Sequence, residues 1–288
     1  MLEKNIDEKT KDFQEKFKIV GRTREIKLAI LARLSNRHLL IEGEVGIGKT
    51  TLAKALAEFY DQKFFRIDCD ERFTEAKLVG YFDPPLVLKA GYKPESFFNG
   101  PLTNAMKSGG ILFINELNRL PERSQNVLLS SLDEGILGIP KLGLIKAKPG
   151  FFIIATQNPS EHVGVGLLGE AIKDRFVWIK LEYQSFEEEI KITELETNCK
   201  SREILENSVK IIRFTRKSPQ LRRGASIRAA IDMVLILKNI NTDIKPADWF
   251  DVAIMCLVPK IDLEDGVELP VETIIGNIVS RIIKSKNP

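Results

Sequence analysis

Through about residue 184 the chain keeps changing its hydrophobic period, and after Ser185 only one period remains. Short unbroken apolar runs, as expected of strands buried on both faces, cover Leu39 to Ile41, Ile111 to Ile114 and Phe151 to Ala155, and Phe176 to Leu181 and KFFRID at Lys63 to Asp68 read as further strands. Between them apolar residues recur at helical spacing: Ile26, Ile30 and Leu34, then Leu52, Leu56 and Phe59, then Val127, Leu128 and Leu132 after Pro121. ERFTEAKLVG, ending at Gly80, is helix-like, and residues 136 to 150 read as a hairpin bounded by glycine and proline. Residues 1 to 16 are mostly charged and predict a loose or peripheral helix. Residues 81 to 100 break every period with Pro84, Pro85, Gly91, Pro94 and Gly100, yet they carry Phe82, Leu86, Tyr92, Phe97 and Phe98. A short hairpin or structured loop is expected there, covering an apolar edge or offering a surface to a partner. Beyond Ser185, SFEE fits a capping box, and helices are predicted over 186 to 198, 203 to 217, 226 to 238, 247 to 258 and 271 to 284. The pattern predicts an α/β domain with a parallel sheet over residues 17 to 184, followed by a smaller all-helical domain over 185 to 288.

Chemistry concentrates where the Leu39 to Ile41 strand ends. Gly43 to Thr50 fits G-x-x-x-x-G-K-[ST], a loop whose backbone N–H groups wrap phosphate oxygens because its glycines let the main chain approach closely. Lys49 is placed to reach the outer phosphates and Thr50 to bind magnesium, and the positive end of the helix beginning near Lys49 faces the same anion. The phosphate-contacting set is therefore Glu44, Val45, Gly46, Ile47, Gly48, Lys49, Thr50 and Thr51. Asn115 and Glu116 follow the Ile111 strand, at the edge where doubly wound sheets place ligands. Glu116 suits a general base orienting water, or else a carboxylate capping the next helix. Asn158, after the Phe151 strand, suits a group hydrogen-bonding that water or the outer phosphate, or a turn residue before Pro159.

Composition narrows the partners. A net charge of +3 gives no electrostatic footprint for nucleic acid or an anionic membrane. Cys69, Cys199 and Cys256 form no C-x-x-C pair, and His38 and His162 are the sole histidines, which argues against disulfide and nitrogen-rich metal frameworks and makes His38 structural. The N-terminus is charged where a signal peptide is apolar, and no run approaches roughly 18 apolar residues, so a cytoplasmic protein without a membrane segment is expected.

Five motifs in order, GEVGIGKT, ILFINELNR, IIATQNP, EAIKDRF and RGASIRAA, resemble the MoxR-type AAA+ ATPases from about Phe17 to Val234. The resemblance implies a P-loop AAA+ three-layer αβα domain with a small all-α lid, ATP and Mg2+ as cofactors, and a homo-oligomeric ring, usually hexameric. It places Val20 and Gly21 beside adenine, Glu116 as base, Asn158 as sensor, Arg175 as a finger entering the next subunit's site and Arg228 as the lid arginine. It implies chaperone-like remodelling, maturation or cofactor loading of a client protein, in some members with a separate von Willebrand A-type partner. The chain departs from the family at Asn115, where most members carry an aspartate that helps hold magnesium through its water. A neutral amide keeps an oxygen without the charge. A weakly hydrolysing, nucleotide-gated switch or scaffold is the alternative this leaves open, and a DNA translocase is a third reading with less support. A raised magnesium requirement is expected, lowered by Asn115→Asp.

Overall fold

The computed structural model describes residues 5–159, 169–240 and 243–283. His162 and the final residue of the helix expected over 271 to 284 lie outside the described residues. The chain divides into two compact units, one comprising residues 1–44 and 48–182, the other 45–47 and 183–288.

In the first unit, α1 (Ile6–Phe17) leads into α2 (Thr23–Leu34), β1 (Leu39–Glu42), α3 (Lys49–Phe59) and β2 (Phe64–Asp68). The charged N-terminal segment is anchored rather than loose. Phe13 is fully buried, its ring centroid 4.9 Å from Phe17 one turn on and 5.2 Å from Phe59 of α3. In α2, Ile26 and Ile30 are fully buried, but Leu34 is 47% exposed, so the buried face stops a turn before the helix does.

Next come α4 (Glu75–Val79), β3 (Gly80–Phe82), α5 (Pro84–Ala90) and β4 (Phe97–Asn99). The expected hairpin is present: β3 and β4 pair antiparallel, Gly80 opposite Asn99 and Phe82 opposite Phe97. The prolines of this segment, read as helix breakers, instead begin one. Pro84 and Pro85 fill the first helical positions, where a missing N–H is no loss, and the Asp83 carboxylate accepts the Leu86 N–H at 3.3 Å. Gly80 has φ +122, and a Cβ there would come within 2.2 Å of the Phe98 carbonyl oxygen, so the hairpin requires glycine at its start.

The unit continues through α6 (Pro101–Ser108), β5 (Ile111–Asn115), α7 (Glu122–Asp133), the antiparallel hairpin β6 (Ile136–Ile139) and β7 (Gly143–Lys146), β8 (Phe152–Gln157), α8 (Glu170–Lys173) and β9 (Val177–Lys180). Five strands form one parallel sheet in the order β2-β5-β8-β1-β9. Ile111 to Ile114 and Phe152 to Ala155 are fully buried, as continuous apolar runs require in a sheet covered on both faces. His38, just before β1, is a structural group: its Nδ1 accepts the Ile153 N–H at 3.0 Å, and burial lowers its pKa to about 4.

The second unit comprises α9 (Phe186–Thr197), α10 (Arg202–Lys217), β10 (Leu221–Arg223), α11 (Ile227–Leu237), α12 (Pro246–Leu257), β11 (Asp262–Leu263) and α13 (Val271–Ile283). The capping box forms, Ser185 Oγ accepting the Glu188 N–H and the Glu188 carboxylate accepting the Ser185 N–H at 2.8 Å. Ile212, Met233, Ala253 and Ile275 meet in its core. Glu189, almost fully buried, is paired with Arg213 at 2.7 Å and Arg216 at 2.6 Å, which gives its charge the partners that burial demands. The unit is not purely helical as expected. β10 and β11 pair antiparallel, with Leu221 opposite Leu263.

Candidate phosphate-binding site

The loop after β1 is held from its first residue. Gly43 donates its N–H to the Gln157 carbonyl at 3.2 Å, extending the β1–β8 pairing in which Glu42 lies opposite Gln157. Gly46 (φ +79) and Gly48 (φ +97) take left-handed conformations that side chains disfavour, turning the main chain back toward the start of α3. Lys49 lies inside this turn, its ammonium donating to the carbonyls of Gly43 at 2.5 Å and Glu44 at 2.8 Å. Thr50 and Thr51 occupy the first turn of α3, whose dipole places positive potential at the loop. A fixed ammonium, left-handed glycines and the start of an eleven-residue helix converge, and this arrangement favours an anion. Val45, Gly46 and Ile47 group with the second unit.

The β5 end lies on the same C-terminal edge of the sheet, separated from β1 by β8. Here side chains form the site. Thr156, fully buried near the end of β8, accepts the Glu116 N–H at 3.0 Å and donates to Asn115 Oδ1 at 3.0 Å. Asn115 in turn donates from Nδ2 to Asp68 Oδ1 at 2.9 Å, Asp68 being its register partner at the end of β2. Arg66 donates to both oxygens of Asp68, at 2.5 Å and 2.8 Å, and this contact chiefly holds the Asp68 carboxyl below the usual carboxylate range. Glu116 has φ 58 and ψ 53, a left-handed conformation uncommon for a residue with a Cβ and concentrated at functional positions. Its carboxylate lies 3.0 Å from Arg119 Nε. Cys69, next in the chain after Asp68, has its pKa pushed up to about 12 by burial and neighbouring carboxylates, so it is a neutral thiol rather than a nucleophile.

The remaining candidates fall as follows. Val20 and Gly21 lie in the α1–α2 connection, where the Gly21 carbonyl accepts Gln14 Nε2 at 2.6 Å. Asn158 follows β8 and is buried. Arg175, past α8, is paired with Asp133 at 2.7 Å and donates to the Ala171 carbonyl. Arg228 is exposed in the first turn of α11 in the second unit. The structure thus brings Asn115 and Glu116 into one network with Thr156 and Asp68, while Arg175 stands apart on its own ion pair. The sequence motifs single out neither Asp68 nor Thr156 as a site residue. The available signal was that KFFRID and IIATQNP both turn polar at the carboxyl end of an apolar strand.

Magnesium fits this site as a partner of bound phosphate. Thr50 offers a hard oxygen donor to the ion and Asn115 an oxygen to its water, and among the described residues no three His, Cys, Asp or Glu side chains group to hold a metal. The ion would take its other ligands from phosphate and water, its usual preference.

Fold and site together define a P-loop nucleotide-binding protein. Residues 38–176 match the AAA domain (dynein-related subfamily), and the chain belongs to the AAA+ ATPase family. It is 33% identical over 216 residues to the uncharacterised protein YojN of Bacillus subtilis, covering 71% of this chain and 68% of that one. An uncharacterised Staphylococcus aureus protein, SAOUHSC_01413, is 32% identical over 210 residues, covering 69% and 77% respectively. Among solved structures, a candidate ATPase from Cytophaga hutchinsonii shares the fold with a TM-score of 0.54 at 24% identity, covering 96% of this chain and 94% of that one. The Holliday junction branch migration motor RuvB of Thermotoga maritima shares it with a TM-score of 0.51 at 16% identity, covering 93% and 70%. Among the described residues no helix is long and apolar enough to cross a membrane.

Proposed function

We propose that this chain is a MoxR-like ATPase that assembles into a hexameric ring, binds Mg-ATP at the loop after β1, and couples its hydrolysis to remodelling, maturation or cofactor loading of a client protein. The observation that carries the reading is the shared edge: the phosphate loop ends β1 and Glu116 ends β5, with only β8 between them. A carboxylate next to, but outside, the phosphate cradle is what in-line attack by water on an outer phosphate requires.

In this account Lys49 and the loop N–H groups hold the phosphates, and Thr50 would hold a magnesium ion, which would supply positive charge beside the transferring group. Glu116 accepts a proton from the attacking water once Arg119 releases it. Thr156 fixes the Glu116 backbone, so the base of the side chain is placed before nucleotide arrives. Asn158 is assigned as sensor, Val20 and Gly21 as adenine neighbours, and Arg228 as lid arginine. Arg175 is assigned to the neighbouring subunit's site, in which role it exchanges Asp133 for phosphate; an arginine finger contributes about 10³ to 10⁵ in rate. The client and any von Willebrand A-type partner are assigned by family likeness, and a cytoplasmic location accords with both.

The direct test is phosphate release with and without magnesium, paired with mass in solution with and without ATP. Magnesium-dependent turnover by an ATP-stabilised ring is expected, and full-rate turnover by a stable monomer would overturn the shared-site assignment. The second reading, a nucleotide-gated switch, is favoured by the Arg119 contact that occupies Glu116 and by the amide at 115. Tight binding and assembly without turnover at any magnesium concentration would select it. A nucleic-acid motor would show salt-dependent DNA binding instead.

A further inference from the structure

Asn115 is held so that its two polar atoms face in different directions. An ionised carboxylate only accepts hydrogen bonds, so the contact with Asp68 at 2.9 Å fixes the amide N–H group toward β2. The carbonyl oxygen is then the atom that meets the Thr156 hydroxyl on β8, at 3.0 Å. β8 is the strand next to β1 and its phosphate loop. An sp² oxygen has two acceptor sites, and Thr156 uses one.

We propose that Asp68 is a positioning residue for the magnesium side of this site: it supplies through the Asn115 amide the negative charge that residue 115 itself lacks. The inference rests on reading the loop as a Mg-nucleotide site. A carboxylate accepting from one end of an amide polarises the carbonyl at the other end, making that oxygen a stronger acceptor for a metal-bound water. Arg66 keeps Asp68 aligned through two donors, at 2.5 Å and 2.8 Å, on the same face of β2. The pair also explains why an amide stands at 115. An aspartate in that position would bring a second carboxylate against Asp68, and two groups that only accept hydrogen bonds would lose this contact and repel. Asn115→Asp alone therefore does not improve magnesium use, contrary to what the residue type considered in isolation predicts. The carboxylate and the amide work as a unit across two strands and are exchangeable only together.

The test is binding of a fluorescent ADP analogue to the 288-residue chain, first in EDTA and then across a magnesium titration. Asp68→Asn, Asp68→Ser, Asn115→Asp and the exchange Asp68→Asn with Asn115→Asp are compared with wild type, each checked for folding by its melting transition. Metal-free binding is expected to stay within about twofold for all variants, because the loop and Lys49 are untouched. The magnesium midpoint should rise about 10-fold or more in both Asp68 variants, the range expected when a partner of a metal-contacting group is lost. It should not fall in Asn115→Asp, and it should return close to wild type in the exchange. An unchanged midpoint in Asp68→Asn and Asp68→Ser overturns the proposal, as does a lowered midpoint in Asn115→Asp alone. Equal losses with and without magnesium also overturn it, since they would mark Asp68 as structural. If wild type binds no nucleotide even in EDTA, the nucleotide reading itself falls.

Discussion

Two strand ends on one edge of the sheet are built from different materials. After β1 the site is mostly main chain: left-handed glycines, the start of α3, and one ammonium resting on two carbonyls. After β5 it is mostly side chains, Asp68, Asn115 and Thr156 joined by hydrogen bonds across β2, β5 and β8, with the Glu116 backbone N–H donating to Thr156. A backbone cradle depends on glycine at set positions, so it has little freedom to vary and reads as a contiguous motif. A side-chain network preserves its chemistry when charge moves from one strand to the next. Under the proposed sharing of charge between Asp68 and Asn115, that difference accounts for a phosphate loop that fits its pattern beside a β5 end with an amide at 115.

The sharpest way to break the comparison is Lys49→Ala. It removes a charged donor from the main-chain half and should weaken nucleotide binding by about 100-fold or more by calorimetry, each hydrogen bond to a charged group contributing about 1.5–3 kcal/mol. Near-wild-type affinity would show that the loop does not hold phosphate. Thr156→Val cuts the side-chain half at its centre. With the hydroxyl gone, Asn115 Oδ1 and the Glu116 N–H lose their shared partner, and stability in denaturant should fall by about 1–3 kcal/mol. Nucleotide affinity should hold while turnover drops, a split that a general folding defect would not produce.

The smallest effect concerns the opposite end of β1, which carries no site. His38 is buried and neutral, with its pKa lowered to about 4, so the unfolded chain takes up the proton first as pH falls below 6.5. The stability associated with neutral His38 is present above pH 6.5 and is lost as pH falls toward 4. By this linkage it amounts to about 2 kcal/mol between pH 7 and pH 5. Replacing His38 by glutamine should flatten that part of the pH–stability curve whatever its effect at pH 7. A slope unchanged by the substitution would assign it to other groups.

What was legible in the sequence follows the same division. The sheet strands, the glycine loop and the Ser185 capping box are local patterns and were read as such. Pro84 and Pro85 misled because proline breaks a helix interior yet suits its first turn, and only the Asp83 cap distinguishes the two. β10 and β11 are too short to show alternation, and their pairing joins residues 221 and 263, far apart in the chain. Phe13 lies in a stretch whose charge conceals one buried aromatic residue packed against the half-buried Phe17 and Phe59. The Asp68–Asn115 contact spans 47 residues and arises only from strand register, so no window along the sequence contains it. Asn115 was visible as a departure; the carboxylate beside it was not.

On the proposed function, the two strand ends perform separate steps, binding at β1 and chemistry at β5. Glu116→Gln tests it most directly, because glutamine keeps the size and backbone of the residue while removing the base. Nucleotide affinity and phosphate release should be measured on the same protein at saturating Mg-ATP. The account predicts affinity within about threefold of wild type and phosphate release lowered by about 10² or more, the scale of a lost general base. Unchanged release, or a loss of affinity matching that of Lys49→Ala, would contradict it.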